Sequence, residues 1–402
     1  MPQTTPIGAC RPLRAASRMV DQSSEGPSVT VRYSFVSTYP PTQCGLATFT
    51  ASLRAAFGSD DTGDRPVIRL MEAPRDDSPP EVAAHLVAGD RGSLQQAADE
   101  INLTDVAIVQ HEYGIYGGPD GEEVLVLLDA IRVPRMVVLH TVPKGPTRRQ
   151  RWVLQSALDR SEAVVLMTVA ARDRLTAQYR VAPAKLNVIP HGAHHLGPVS
   201  PDRRSARPTV LTWGLLGPGK GIEWGIDAMR ELVELDPAPR YVVAGQTHPK
   251  VLAHEGEAYR QRLQAQVHRR GLGGHVHFES RYRDTASLGR LISSADVVLL
   301  PYDSPDQITS GVLSEAVAAF LPVVATPFPH AVELLSAGAG RLVPHRDPAA
   351  MAAALRTVLT HGDTARRMRQ AAAEAAPALH WPAVADHYQQ VVARTLLPSL
   401  AG

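Results

Sequence analysis

The sequence predicts an α/β protein built as two stacked, doubly wound domains. Three observations carry this. A chain of 402 residues exceeds what one typical hydrophobic core holds. Short apolar, β-branched runs alternate with helical periodicity through both halves. A polar, Pro-rich, aperiodic stretch from Gly197 to Pro208 separates those halves and reads as a linker. No repeat of solenoid length appears, so the shared strand–helix rhythm points to two Rossmann-like domains. The expected boundaries are a disordered extension over 1–27, a first domain over 28–195, a linker over 196–208, a second domain over 209–379 and a terminal segment over 380–402.

Composition narrows the function. The net charge is +1, so no strong field argues for nucleic acid, and aromatics make up only 5% with no stacking run inside a basic stretch. Cys10 and Cys44 stand far apart and form no metal or redox motif, which fits a reduced, cytoplasmic compartment. No apolar run approaches the roughly 20 residues that span a bilayer. The residues up to about Pro27 are rich in Ser, Thr, Pro and Arg and lack a signal-peptide core.

In the first half, Val29 to Val36 alternates and predicts the first strand. A turn-rich loop ends at Gly45, and a helix is expected from Leu46 to Phe57. Pro66 to Glu72 predicts a second strand, and Leu94 to Asn102 a helix. Thr104 to Gln110 is an apolar run that ends in His111, Glu112, Tyr113 and Gly114. Ligands of open parallel sheets lie beyond the carboxyl ends of strands, so these polar residues are candidates for binding. Gly117, Gly118 and Pro119 predict a flexible loop. Pro134 to Leu139 is another strand, with His140 at its carboxyl end. Lys144, Arg148, Arg149 and Arg151 follow, beside Trp152; they read as a solvated helix face, with a weak peripheral membrane contact as the alternative. A strand over Glu162 to Thr168, a helix over Ala170 to Tyr179 and the segment Leu186 to Ala193 complete this half.

The second half begins with Thr209 to Trp213, a strand, then Gly214 to Gly221 with Lys220, then a helix from Ile222 to Leu235. Strand, Gly-rich loop with one Lys, and helix make a generic phosphate cradle of backbone N–H groups and a point charge. It is neither the P-loop nor the dinucleotide pattern. Tyr241 to Gly245 and Val276 to Tyr282 are further strands, with helices expected over Ala258 to Arg270 and Thr285 to Ser294. Ala295 to Tyr302 is a buried strand, Val312 to Phe320 a helix, and Val323 to Ala325 the next strand after Pro322. Ser310, Gly311, Val312 and Leu313 open that helix, where free N–H groups and the helix dipole favour an anion. Glu315 lies one turn inside, within reach of a hydroxyl pair. An ordinary crossover with a solvated Glu fits the same pattern. Helices over Pro348 to Leu359 and Thr364 to Ala376, and a final helix to about Leu397, end the chain.

The run Glu315-Ala-Val-Ala-Ala-Phe-Leu-Pro-Val-Val-Ala-Thr326 resembles the donor signature of retaining glycosyltransferases of the GT-B fold, the family 4-like group 1 enzymes. Their pattern is a Glu, a spacer, a second Glu, then Ala-Met-Ala-x-Gly-x-Pro-Val-Val-Ala-Thr. Gln307 holds the first Glu position, and Phe320 replaces the usual Gly. The loop Gly214 to Gly221 resembles the family's Gly-Arg-Leu, spacer, Lys-Gly; Lys220 matches, while Leu215 replaces the Arg. His191 stands where Asn is commoner in Val-Ile-Pro-Asn-Gly. The resemblance covers nearly the whole chain after residue 28.

The resemblance implies two domains facing a cleft, with the last helix crossing back onto the first. It implies a nucleotide-diphosphate sugar as donor, a hydroxyl acceptor (sugar, glycan, lipid or small metabolite), retention of anomeric configuration, and no cofactor or bound metal. His140, Lys220 and Gln307 would serve catalysis. Gly45, Gly219, Lys220, Arg281, Ser310, Gly311, Val312, Leu313 and Glu315 would bind the donor, Glu315 through the ribose hydroxyls. His111, Glu112 and Tyr113 would meet the acceptor. The losses at Leu215 and Gln307 keep two alternatives open: a catalytically impaired pseudoenzyme or nucleotide-sugar binding protein, and another GT-B activity such as an epimerase or phosphorylase.

Overall fold

A computed structural model describes residues 31–58, 65–75, 77–196, 207–304 and 307–396. The expected N-terminal extension and most of the expected linker lie outside the described residues. From Arg32 onward the chain forms one compact unit that contains two parallel sheets.

The first sheet has seven strands: β1 Tyr33–Ser37, β2 Val67–Met71, β3 Val82–Val87, β4 Val106–His111, β5 Arg135–Leu139, β6 Ala163–Leu166 and β7 Leu186–Val188. Their order is β3-β2-β1-β4-β5-β6-β7. The second has six: β8 Thr209–Trp213, β9 Arg240–Ala244, β10 Val276–Glu279, β11 Val297–Leu300, β12 Val323–Ala325 and β13 Gly340–Leu342, in the order β10-β9-β8-β11-β12-β13. All registers are parallel. Each sheet reverses its winding once, between β1 and β4 and between β8 and β11. A ligand crevice opens at such a reversal.

The apolar runs make these strands because both faces are covered. In the second sheet Val210, Val297 and Leu299 enter one core with the helices Ile222–Leu232 and Pro348–Thr360. Their neighbours Leu211, Val298 and Leu300 enter the opposite core with the helix Gly311–Ala318. Successive side chains of a strand point to opposite faces, so one run feeds both layers.

The last helix, Trp381–Val391, packs on the first domain, as the resemblance implies. Tyr388 lies 6.4 Å from Phe57 and Trp381 5.1 Å from Phe49, ring centre to ring centre. Gly192 permits this, since a Cβ there would come 2.2 Å from the Trp381 ring. The α-helix ends at Val391 and runs on as a π-helix over Val392–Leu396; the expected end near Leu397 lies outside the described residues.

Four elements escaped the pattern reading. Strands β3 and β7 and the helices Glu123–Ala130 and Pro249–Glu255 were not expected. The helix after β11 ends at Ala318 rather than Phe320. Phe320 instead adopts a left-handed conformation, φ 58°, and Leu321 N–H reaches back to the Ala316 carbonyl at 3.1 Å. This is a Schellman stop, where Gly is favoured. It supplies a steric reason for the Gly of the resembled pattern.

Candidate functional site

The loops after β8 and β11 meet at the reversal of the second sheet. Gly221, at φ 63°, lets them touch: a Cβ there would come 1.9 Å from the Pro301 carbonyl oxygen. Asp303 N–H donates to the Gly219 carbonyl at 2.9 Å and joins the loops a second time. Gly219 also has positive φ, 89°. Lys220 extends over the Tyr302 ring, with Nζ 4.2 Å from its centre. No carboxylate pairs with Lys220 among the described residues. Tyr302 is itself stacked on Phe328 at 5.0 Å, so the platform under the ammonium is rigid.

Beside that platform the helix Gly311–Ala318 begins. Ser310 caps it: its Oγ accepts from Leu313 N–H at 3.3 Å, and it lies 3.5 Å from the Tyr302 hydroxyl. The Ser310 N–H is taken by His330 Nδ1 at 2.9 Å. The N–H groups of Gly311 and Val312 have no partner among the described residues, as the first turn of a helix leaves them. Val312 packs toward Gly214, where a Cβ would lie 3.4 Å from its side chain. Gln307 folds its amide onto the Thr309 carbonyl and holds the loop. Thr309 Oγ1 is buried without a partner among the described residues.

Glu315 follows one turn on. Its Oε2 accepts from Trp213 Nε1–H at 3.2 Å. Protein surrounds it although part of its surface stays open, and burial raises its carboxyl from 4.5 to about 7 against the pull of that hydrogen bond. Its other oxygen, Oε1, has no donor among the described residues, and a diol can supply one.

The first domain brings its own residues to the same place. Glu333 of the second domain accepts from Val169 N–H at 2.9 Å and Ala170 N–H at 3.2 Å, capping a first-domain helix. Thr168 Oγ1 donates to the Ile308 carbonyl at 3.2 Å. Across this seam stand four neutral histidines. Burial pushes His111 and His191 down to about 4 and His140 and His330 to about 3, with neighbouring imidazoles adding to the fall at His140 and His330. His140 Nε2 lies 2.7 Å from Gln110 Oε1, and Phe49 meets its ring edge-on at 4.9 Å. The His191 ring lies against Gly311. Thus His140, His191, Gly311, Ser310, Tyr302 and Lys220 form a continuous chain of neighbours, with Glu315 on the same helix.

Other candidates divide. A Cβ at Gly45 would meet nothing within 4 Å, so that glycine leaves open space at the start of the helix Gly45–Ala56. His111 is buried with Nδ1 unpartnered among the described residues. Glu112 accepts from Thr141 and from its neighbour's N–H; burial raises its carboxyl, while Lys250 of the second domain pulls it back. Tyr113 is turned away: its hydroxyl donates to the Gln150 carbonyl at 3.3 Å, and its ring joins the first-domain core. Arg281 is exposed after the outer strand β10, with no hydrogen bond or ion pair among the described residues. In the basic run, Arg149 pairs with Glu122 and Arg151 donates to the Gln178 carbonyl at 2.8 Å, while Trp152 stays exposed. No helix is long and apolar enough to cross a membrane among the described residues.

Pattern reasoning missed Trp213, His330, Glu333 and Lys250, and left His191 outside the site. His191 had a signal, since it departs from the commoner Asn. The others act through contacts with residues distant in sequence.

Residues 199–375 match the family model of glycosyl transferases group 1. That match spans the second domain. A D-inositol 3-phosphate glycosyltransferase of Segniliparus rotundus is 27% identical over 283 residues, which are 65% of this chain and 61% of that relative. Among solved structures, Anabaena HepE in complex with UDP and glucose superposes with a TM-score of 0.70 at 17% identity, over 90% of this chain and 99% of that one. A sucrose-phosphate synthase from Thermosynechococcus elongatus gives 0.69 at 19%, over 92% and 100%. The two-domain fold is therefore GT-B.

Proposed function

We propose that the protein transfers a sugar from a nucleotide-diphosphate sugar to a hydroxyl acceptor. The observation that carries this is the pairing of an unneutralised Lys220 with the free N–H groups of Gly311 and Val312, in a group 1 domain, at the sheet reversal. Breaking the anomeric bond develops negative charge on the leaving diphosphate, and groups fixed in place stabilise it without reorganising. Lys220 and the helix start supply that stabilisation, so the reaction as proposed needs no metal ion. UDP in the complex with HepE supports a nucleoside diphosphate as the anion. Glu315 accepts the ribose hydroxyls, and Gln307 holds the loop that frames the sugar.

His140 approaches the sugar from the first domain as a neutral imidazole. Gly45 lines the donor side, His111 and Glu112 form the acceptor side, and Tyr113 acts as a support for that loop. We further propose retention of configuration, through attack on the same face assisted by the donor phosphate. That reading rests on the resemblance of the Glu315 segment.

A thermal-shift panel with UDP, GDP, ADP and dTDP tests the donor site. One nucleotide at 100 times its dissociation constant stabilises by about 2.7 kcal/mol, and that one is then tried as its sugar conjugate for turnover. A panel in which no diphosphate raises the melting temperature contradicts the reading. Binding without any sugar release, with or without acceptors, moves the impaired-enzyme reading ahead.

A further inference from the structure

His191 sits where the two domains touch. Phe49 meets its ring edge-on at 5.0 Å, and Trp381 lies tilted at 5.9 Å. Its Nδ1 is 2.7 Å from the Gly192 carbonyl oxygen. A carbonyl only accepts, so Nδ1 carries a hydrogen. In the neutral ring Nε2 is then a bare acceptor. That edge of the ring overhangs the start of the helix Gly311–Ala318: a Cβ on Gly311 would come 2.7 Å from both Cε1 and Nε2. Gly311 therefore has to be glycine because His191 occupies the space beside it.

A diphosphate oxygen resting on the N–H groups of Gly311 and Val312 would face this bare nitrogen. Two acceptors repel unless a proton lies between them. We propose that His191 takes up a proton at Nε2 as the donor diphosphate binds and donates it to a phosphate oxygen, standing in for the guanidinium that Leu215 lacks. The inference rests on the donor site proposed above. The proton comes from solvent, and no bond of the donor is made or broken in this step.

The surroundings suit a charge that exists only in the complex. His140 at the end of β5, His194 on the same loop and His330 on the helix Pro329–Leu335 face His191 and add only basic groups. Phe49 and Trp381 contribute uncharged rings. No carboxylate is among the groups that shift it. An empty site thus favours the neutral ring, and a permanent cation would lack a partner. An arriving diphosphate supplies that partner and reverses the preference.

Calorimetric titration of the full chain with UDP-, GDP- and ADP-glucose, at pH 7 in buffers of different ionisation enthalpy, tests this. Diphosphate diesters do not titrate near neutral pH, so proton uptake belongs to the protein. Wild type is expected to take up about one proton more per donor than His191→Asn, a comparison in which any contribution from Glu315 cancels. The variant is expected to bind roughly tenfold to hundredfold more weakly, the worth of one charged hydrogen bond. His191→Gln serves in the same role should the Asn variant fail to fold. Equal proton uptake in wild type and variant, or equal affinity, overturns the inference and leaves the donor site standing. Wild type that binds none of the three overturns both.

Discussion

Glu315→Gln isolates the charge of the buried carboxyl while keeping its shape and an oxygen for the Trp213 N–H. In the empty site burial holds this carboxyl at about 7 rather than 4.5. The folded protein then binds more protons than the unfolded chain between those values, so Glu315 costs stability progressively as pH rises from 4.5 to 7. At pH 8 the cost is on the order of 3 kcal/mol. Glu315→Gln should therefore melt higher than wild type at pH 8 and equal to it near pH 4.5. Nucleotide binding should change the other way. The carboxylate's hydrogen bonds from a ribose diol are worth about 1.5–3 kcal/mol each, so the variant should bind a ribose diphosphate at least tenfold more weakly. Against the 2′,3′-dideoxy analogue, wild type and variant should be equal. Urea unfolding at the two pH values and titration with both ligands provide the readouts. A variant less stable than wild type at pH 8 refutes the cost of burying the carboxylate, and an equal loss against the dideoxy analogue refutes the ribose role.

Acid should unfold the protein early. His111, His140, His191 and His330 are held below 6.5 in the folded state, so their contribution is present above 6.5 and lost as pH falls toward 4. Four such groups outweigh the opposite slope of Glu315, and melting temperature should drop between pH 7 and pH 5. His330→Asn, which retains an acceptor for Ser310 N–H, should flatten that drop, as a melting series against pH would show. At Phe320 the left-handed backbone decides which replacement is tolerated. Asn accepts that conformation and a β-branched residue does not, so Phe320→Val should be about 1 kcal/mol less stable than Phe320→Asn by urea unfolding, despite its greater hydrophobicity.

The elements that build the site were legible because each stands on a strong local signal. Strands β4, β5, β8 and β11 are continuous apolar runs, and Gly214, Gly219 and Gly221 mark the loop that needs positive φ. Strand β3 was hidden because Val82–Val87 is Ala-rich, interrupted by His85 and half-open at the sheet edge. The helix Glu123–Ala130 follows a Gly- and Pro-rich turn that masks its start, and Pro249–Glu255 has no fully buried side chain, only Val251 packing partly buried on the core. At the site, local pattern placed Lys220 and Glu315 but not the contacts that tune them. The hold of His330 on Ser310, the overhang of His191 at Gly311 and the cap that Glu333 places on Val169 join segments far apart in the chain. No period in the sequence encodes them. Tyr113 misled for the converse reason: it stands at the right strand end, yet its hydroxyl finds a nearer carbonyl at Gln150.

The central claim is that a donor diphosphate rests on Lys220 and the start of the helix Gly311–Ala318. Calorimetric titration of wild type and Lys220→Ala with the nucleoside diphosphate that stabilises wild type most tests it directly. The ammonium makes no ion pair among the described residues, so its loss should leave the fold's stability nearly unchanged while almost abolishing diphosphate binding. Unchanged affinity in Lys220→Ala would contradict the placement of the donor.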